Sequence, residues 1–141
     1  DYVMHTAAPC PPGVKQQMID WWGPVLMELY GASEAGGVGT VVDSNEWLER
    51  PGTVGRPTAV AELMIVGENG EQLGPNEVGQ IYVKSLMGID FTYLGDEEKS
   101  NKAHLAPFGQ WSTCTRGRPP AWHRSTSGLI WVTSQVLVRH R

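Results

Sequence analysis

The N-terminal part of the chain shows a helical pattern of apolar residues. The Pro11–Pro12 pair stands where prolines are tolerated at the start of a helix. Apolar residues then recur at positions i, i+4, i+7 and i+8, as Val14, Met18, Trp21 and Trp22. Gly23–Pro24 ends the pattern, because proline cannot continue the helical hydrogen-bond ladder. The pattern predicts an amphipathic helix with those four apolar residues on its buried face.

A short apolar run follows this helix and leads into a loop of small residues. The run VLMELYG, from Val25 to Gly31, is bounded by glycine and proline, which is typical of a buried strand in a sheet covered on both faces. In open α/β sheets, ligands bind at the carboxyl ends of strands, where the loops converge. The stretch LYGASEAGG, residues 29–37, is therefore a candidate binding loop.

After Gly52 the pattern changes to runs typical of strands. VAELMIV, residues 60–66, and GQIYVKS, residues 79–85, are rich in apolar and β-branched residues. Between them, Asn69–Gly70 favours a type I′ hairpin turn, and Gly74–Asn76 predicts a second turn. A small antiparallel sheet or part of a barrel is therefore predicted.

A second helix is predicted from Asp96 to about Leu105. The Asp96 side chain is suited to cap the helix, and Glu97 and Glu98 complement the positive end of its dipole. Beyond Ala106 both periodicities are lost, and only LIWVTSQVLV, residues 129–138, is predicted as a strand.

Charged residues are distributed unevenly along the chain, whose formal net charge is −4. All 15 acidic residues precede residue 106. The C-terminal part carries arginines only: Arg116, Arg118, Arg124, Arg139 and Arg141. A basic tail is a candidate nucleic-acid arm, but these arginines form neither a dense cluster nor a helical stripe. Nucleic acid is therefore not an expected partner.

The composition indicates one domain's worth of chain, with 141 residues of which 40% are hydrophobic. No stretch approaches the length of a membrane span, and no leader pattern opens the sequence. Cys10 and Cys114 fit neither a disulfide framework nor a metal-binding spacing, and the 4 histidines are scattered. The expected compartment is the cytoplasm, and a histidine or cysteine metal site is not expected.

Residues 30–34 carry functional groups that suit a nucleotide. The ring of Tyr30 can stack on a purine for about 1–3 kcal/mol, and Gly31 lets the backbone approach a ligand closely. The Ser33 hydroxyl suits a phosphate oxygen, and the Glu34 carboxylate is a hard oxygen ligand suited to Mg²⁺. The same residues also suit a structural turn with Tyr30 in the core. Both interpretations stay open on these residues alone.

Four motifs, in a common order, resemble those of one superfamily. YGASE, residues 30–34, is similar to the Y-G-[ST]-[TS]-E core of the class I adenylate-forming (AMP-binding) enzymes, which include acyl-CoA synthetases, luciferases and peptide-synthetase adenylation domains. HTAAPCPPGVKQQMIDWWGP, residues 5–24, resembles their G-A-A-P substrate loop and the following helix. RPGTVGRP, residues 50–57, and GEQLGPNEVGQIYVKS, residues 70–85, resemble the G-x-x-G-[RK]-P and G-E-[IL] motifs. The sequence of residues 7–34 is most similar to the fatty acyl-CoA synthetase branch.

The resemblance implies a role for each residue of the candidate loop. Tyr30 would stack on the adenine, and Gly31 and Ala32 would line the groove around it. Ser33 would contact the α-phosphate, and Glu34 would hold Mg²⁺, which makes these two the implied catalytic residues.

A second loop is implied by the same resemblance. Ala7, Ala8 and Pro9 correspond to residues that border the adenine and acyl sites in the family. Thr6 stands where the family usually has glycine.

The implied reaction is ATP-dependent ligation of a fatty acid to coenzyme A. The carboxylate attacks the α-phosphorus of ATP, pyrophosphate leaves, and the thiol of coenzyme A attacks the acyl-adenylate. The implied ligands are therefore ATP or AMP, Mg²⁺, coenzyme A and a carboxylic acid.

Three catalytic elements of the family have no counterpart in the sequence. They are the Gly/Ser/Thr-rich phosphate loop, the ribose-binding aspartate of W-x-x-T-G-D, and the lysine of the C-terminal domain. The chain is therefore expected to be an internal fragment that is inactive alone. The alternative is a non-catalytic remnant or binding module with a structural loop.

The sequence departs from the family pattern from about Cys114, after GQWST at Gly109–Thr113. Our hypothesis is that this tail is translated out of frame, because its acids disappear and its Arg, Pro, Ser and Trp content is typical of a shifted GC-rich gene. The alternative is a divergent terminus with its own partner.

The predicted fold class is α/β. Residues 1–50 are expected to form the end of a mixed α/β sheet layer, in the AMP-binding subdomain. Residues 51–105 are expected to form a small antiparallel β-barrel-like subdomain with a short helix. Residues 106–141 are expected to be an irregular tail, frame-shifted or disordered.

Overall fold

The computed structural model describes residues 1–31, 33, 36–37, 39–104, 111–113, 121–124 and 130–133. The elements in chain order are β1 (Val3–His5), α1 (Pro12–Trp22), β2 (Leu26–Tyr30), β3 (Thr40–Asp43), α2 (Ser44–Glu49), β4 (Thr53–Pro57), β5 (Ala61–Val66), β6 (Gln80–Ser85), α3 (Glu97–Ala103), β7 (Ser112–Thr113), β8 (Ala121–Arg124) and β9 (Ile130–Thr133). Within the described residues, these strands form two sheets.

The larger sheet is mixed, with the strand order β1-β2-β3-β4-β9-β8. The β1–β2 pair is parallel, and His5 lies opposite Glu28. The other neighbours in this sheet are antiparallel. A mixed sheet with a few helices is the predicted α/β class, which the structure confirms.

Helix α1 begins and ends where the sequence predicts, but its buried face differs from the prediction. It starts at Pro12 and is followed by Gly23, whose φ of 81° suits glycine. The buried residues of the helix are Lys15 and Ile19. Three residues expected in the core are exposed: Val14 (47%), Trp21 (78%) and Trp22 (42%). The predicted face was wrong because Ile19 packs in a cluster with Leu26, Val42 and Trp47, which turns the helix toward β2 and α2.

The smaller sheet has the order β5-β6-β7 and is open, so the predicted barrel-like form is not a closed barrel in the described part of the chain. Strands β5 and β6 pair in register from Ala61 opposite Ser85 to Val66 opposite Gln80. Alternate residues of these strands form the second apolar cluster, together with Val54 of β4: Ala61, Leu63, Ile65, Ile81 and Val83.

Two turns connect β5 and β6, in the places that the sequence predicts. The amide of Gly70 donates to the Gly67 carbonyl at 3.1 Å. Gly70 has a φ of 83°, whereas Asn69 is not among the residues with positive φ. A type I′ turn requires positive φ at both central residues, so the predicted turn type was wrong. In the second turn, Asn76 has a φ of 66°.

Helix α3 confirms the predicted cap. The Asp96 carboxylate accepts from the Lys99 amide at 2.9 Å. The helix ends at Ala103, near the expected end at Leu105. No helix of the described residues has the length and apolar character needed to cross a membrane.

The tail contributes three of the strands, of which the sequence predicts only β9, inside residues 129–138. Strand β9 pairs with β4 and β8 in the larger sheet, and β7 pairs with β6 in the smaller one. Strand β4 belongs to the larger sheet although residues 51–105 were expected to form a separate unit. The division into 1–50, 51–105 and 106–141 stays a prediction, as does the out-of-frame origin of the tail.

Candidate functional site

The two candidate loops leave the larger sheet at the same edge. Strands β1 and β2 are parallel neighbours, with Val3 opposite Leu26 and His5 opposite Glu28. The segment Thr6–Pro9 follows the carboxyl end of β1, and Gly31 follows that of β2. Parallel neighbours end at one edge of a sheet, where ligands bind in open α/β folds. The structure thus brings both predicted loops to one place.

The loop after Tyr30 is a narrow connection between the antiparallel strands β2 and β3. The Gly39 amide donates to the Tyr30 carbonyl at 2.9 Å, and the Gly36 amide donates to the Ser33 carbonyl at 3.1 Å. A Cβ added at Gly31 would lie 2.4 Å from the Gly37 carbonyl oxygen. Gly31 is therefore required by the backbone of the loop itself, whether or not a ligand approaches it.

Four of the predicted site residues are exposed at this edge: Ala7, Ala8, Pro9 and Ser33. Ala7 has a φ of 70°, which a residue with a Cβ rarely adopts. Such strained positions cost about 1–3 kcal/mol and cluster at functional sites. Ala7 is a position of this kind, and the ligand-binding role of its loop stays a prediction.

Tyr30 is half-buried and packs against the second apolar cluster. Part of its ring surface is therefore used by the core, which fits the structural-turn interpretation as well as stacking on a base. Ala32 and Glu34 lie outside the described residues, so their predicted roles stay predictions.

A charged cluster that the sequence analysis missed lies beside these loops. Lys15 is 1% exposed, and its Nζ lies 2.5 Å from Oε2 of Glu28 and 5.0 Å from the centre of the Trp47 ring. The His5 Nε2 lies 3.6 Å from the same Glu28 oxygen. The sequence contains one signal for this cluster. Glu28 is the one charged residue inside the run VLMELYG, and a charge in a buried strand requires a partner.

Burial is the main influence on His5 and lowers the pKa of its ring below the ordinary value of 6.5; Lys15 also lowers it, whereas Glu28 raises it. The unfolded chain therefore takes up this proton more readily than the folded chain. The contribution of His5 to the stability of the folded chain is complete above pH 6.5. It is lost as the pH falls through the lower pKa that His5 has in the folded chain.

We expect the melting temperature of the parent chain to fall as the pH is lowered. The His5→Gln variant has no titrating ring at this position, so we expect its melting temperature to fall less over the same range. Thermal melts at several pH values between about 7 and 5 measure this. Identical profiles for the parent chain and His5→Gln would contradict the expectation.

Among the described residues, no group of three His, Cys, Asp or Glu side chains is arranged to hold a metal ion. An exposed hydroxyl at Ser33 beside a glycine-rich backbone instead suits the oxygens of a phosphate. Glu34, the magnesium ligand that the sequence predicts, is outside the residues to which this absence refers.

The chain is similar to known proteins over most of its length. A peptide synthetase of Aspergillus ustus, "Nonribosomal peptide synthetase pboA", is 31% identical over 108 residues, which are 73% of this chain and 5% of that protein. The chain thus spans a small part of this relative.

Solved structures of two proteins show the same fold. The unliganded O-succinylbenzoate coenzyme A synthetase (MenE) of Bacillus subtilis matches with a TM-score of 0.79 at 18% identity, over 96% of this chain and 27% of that one. The amide bond synthetase McbA of Marinactinospora thermotolerans matches with a TM-score of 0.80 at 24% identity, over 94% and 25%. The Bacillus enzyme also matches in its complex with ATP and magnesium ion, with a TM-score of 0.76 at 18% identity, over 94% and 26%.

The model of one family, described as "AMP-binding enzyme", matches residues 1–88. That range is more than half of the 141 residues and contains both candidate loops and the charged cluster beside them. The chain therefore belongs to the AMP-binding enzyme family.

Proposed function

We propose that this chain contributes the adenine- and phosphate-binding loops of an ATP-dependent fatty acyl-CoA synthetase. The observation that carries the proposal is the parallel β1–β2 pair, which brings Ala7–Pro9 and the loop after Tyr30 to one sheet edge. An acyl-adenylate carries its acyl group on the α-phosphate, which the ribose joins to the adenine. Two loops at one edge suit a ligand of that shape.

The proposed roles of the residues combine their chemistry with the family resemblance. Tyr30 offers a ring face to the adenine, Gly31 and Ala32 offer backbone beside it, and Ser33 donates its hydroxyl to an α-phosphate oxygen. Ala7, Ala8 and Pro9 form the opposite wall, toward the acyl group. Magnesium, when bound at the phosphates with the help of Glu34, supplies positive charge where a carboxylate anion approaches the polyphosphate.

The solved structures of the Bacillus enzyme support the nucleotide. The Bacillus enzyme is a coenzyme A synthetase with a structure that holds ATP and magnesium, and another that holds AMP. The fatty acid and coenzyme A rest on the sequence of residues 7–34, which is most similar to the fatty acyl-CoA synthetase branch. The cytoplasm is part of the same proposal.

The chain alone is proposed to be inactive. It corresponds to 27% of the Bacillus enzyme, and its sequence has no phosphate loop, ribose-binding aspartate or catalytic lysine of the family type. With stacking, a few hydrogen bonds and one metal ligand, its affinity for ATP is expected to be no better than about millimolar, about −4 kcal/mol.

Two observations favour a second candidate, a non-catalytic binding module in which the loop is structural. Tyr30 packs against the second apolar cluster, and Gly31 is needed by the loop backbone. This candidate predicts no response of the loop to a nucleotide.

An AMP titration followed by the amide NMR signals of the 141-residue chain separates the two candidates. We expect the signals of Ala8 and Ser33 to shift, with a dissociation constant of about a millimolar. The Ser33→Ala variant should fold as the parent does, because Ser33 is exposed, and should bind AMP at least about tenfold more weakly through the loss of a bond to a charged phosphate.

The matched control is Tyr2→Phe, which removes a hydroxyl from a side chain that is 77% exposed at the start of the chain. It should leave AMP binding unchanged. Equal AMP affinity of the parent and Ser33→Ala would contradict the nucleotide role, and an absence of any AMP response in the parent would favour the structural module.

A further inference from the structure

The buried ion pair of Lys15 and Glu28 lies where three chain segments meet. Lys15 comes from α1, Glu28 from β2 and the neighbouring His5 from the end of β1. Lys15 is 1% exposed, and its ammonium group also faces the Trp47 ring. A buried ammonium is unfavourable unless it is paired, and the carboxylate 2.5 Å away meets this need.

Each member of this cluster is next to a candidate loop. His5 directly precedes Thr6, where the first loop begins. Glu28 is two residues before Tyr30, and alternate residues of a strand lie on the same face. Lys15 lies in the first turns of the helix into which the first loop leads. The cluster therefore connects the two loops at their bases.

We infer that His5, Lys15 and Glu28 are positioning residues, which together hold the Ala7–Pro9 loop and Tyr30 at a fixed separation for the nucleotide. The inference rests on the proposed function. An apolar pair of similar size would hold α1 against the sheet at least as well, because desolvation offsets much of the attraction within a buried ion pair. What the ion pair adds is a preferred distance and direction between the two loops.

His5 gives the cluster a response to protons. Its Nε2 is buried and has no hydrogen-bond partner in the described part of the chain. The charged groups that face it there are Glu28 from β2 and Lys15 from α1. Burial lowers the pKa of His5, so the ring is neutral at neutral pH and Lys15 alone pairs with the carboxylate. A protonated ring competes with Lys15 for Glu28.

The first test uses the parent chain without nucleotide. We expect the amide NMR signal of Tyr30 to follow the titration of the His5 ring, although the two residues are on different strands. In His5→Gln the transition of the Tyr30 signal should disappear, while the signals of α3 should be the same as in the parent chain. A Tyr30 signal that does not follow His5 would overturn the inference.

The second test replaces the ion pair by an apolar pair, Lys15→Met with Glu28→Leu. We expect a folded chain whose Ala8 and Tyr30 amide signals move and whose AMP affinity falls at least about tenfold. The matched control is Lys102→Met with Glu98→Leu, which removes an ion pair of the same 2.5 Å length whose side chains are 74% and 80% exposed. The control should leave both readouts unchanged.

The outcomes separate this inference from the proposed function. Unchanged Ala8 and Tyr30 signals in the folded double variant would overturn the positioning role. If the parent chain does not bind AMP, the proposed function fails, and the signals without nucleotide still decide whether the cluster positions the loops. If the double variant does not fold, the His5 titration of the parent chain decides.

Discussion

Replacement of Gly55 by alanine is expected to leave the chain largely unfolded. An added Cβ would lie 1.9 Å from the Val41 carbonyl oxygen and 2.8 Å from the Val42 Cβ, so neighbouring strand β3 would have to move. The φ of Gly55 is 89°, which adds about 1–2 kcal/mol for a residue with a Cβ. A total of more than about 4 kcal/mol is a large fraction of the stability of a small domain.

Gly52→Ala is the matched control for this prediction. Gly52 has a φ of 90°, nearly that of Gly55, but an added Cβ there has no atom within 4 Å. It should cost only the conformational term of about 1–2 kcal/mol. Denaturant unfolding of both variants measures the difference, and a Gly55→Ala chain as stable as Gly52→Ala would contradict the role of the strand contact.

These two glycines belong to the motif RPGTVGRP, but only the second has a neighbouring strand in the space that a Cβ would occupy. Gly55 lies in β4 where the register with β9 shifts, and its amide donates to Thr53 Oγ1 at 3.0 Å. Just after the motif, the Thr58 amide donates to the Gly39 carbonyl at 3.0 Å. The residue that follows the motif therefore bonds to the glycine-rich loop, and the second glycine of the motif serves the packing of β4 against β3.

Local signals in the sequence were sufficient for the bounds of α1 and α3. Proline at the first position, glycine after the last and Asp96 at a cap act within a few residues of the chain. The buried face of α1 depends on distant partners instead. Hydropathy assigns Lys15 to the surface and Trp21 and Trp22 to the core. In the structure, Lys15 is buried in its pair with Glu28, and both of these tryptophans are exposed.

Short strands were among the other features that were not predicted from local signals. Strand β1 has three residues and β8 has the sequence AWHR, so neither shows an alternating pattern. Their existence depends on hydrogen bonds to β2 and β9. For the candidate site, the sequence therefore predicted the loop residues, but the parallel β1–β2 pairing that brings the loops together appears only in the structure.

Gly31→Ala is the substitution expected to affect the candidate site most. An added Cβ would lie 2.4 Å from the Gly37 carbonyl oxygen and 3.0 Å from the Gly39 amide nitrogen. Both are backbone atoms, so relief requires the loop to open. Opening breaks the 2.9 Å hydrogen bond from the Gly39 amide to the Tyr30 carbonyl. We expect faster hydrogen exchange at the Gly39 amide and, on the proposed function, AMP binding at least about tenfold weaker.

The matched control is Gly37→Ala, in the same loop. Gly37 has a φ of 91°, but an added Cβ there has no atom within 4 Å. It should cost about 1–2 kcal/mol of stability through its backbone conformation and leave the Gly39 amide protected. Unchanged exchange at Gly39 in Gly31→Ala would mean that the loop absorbs the extra atom without opening. In that case, the glycine of YGASE would be explained by the approach of a ligand, because the backbone of the loop would no longer require it.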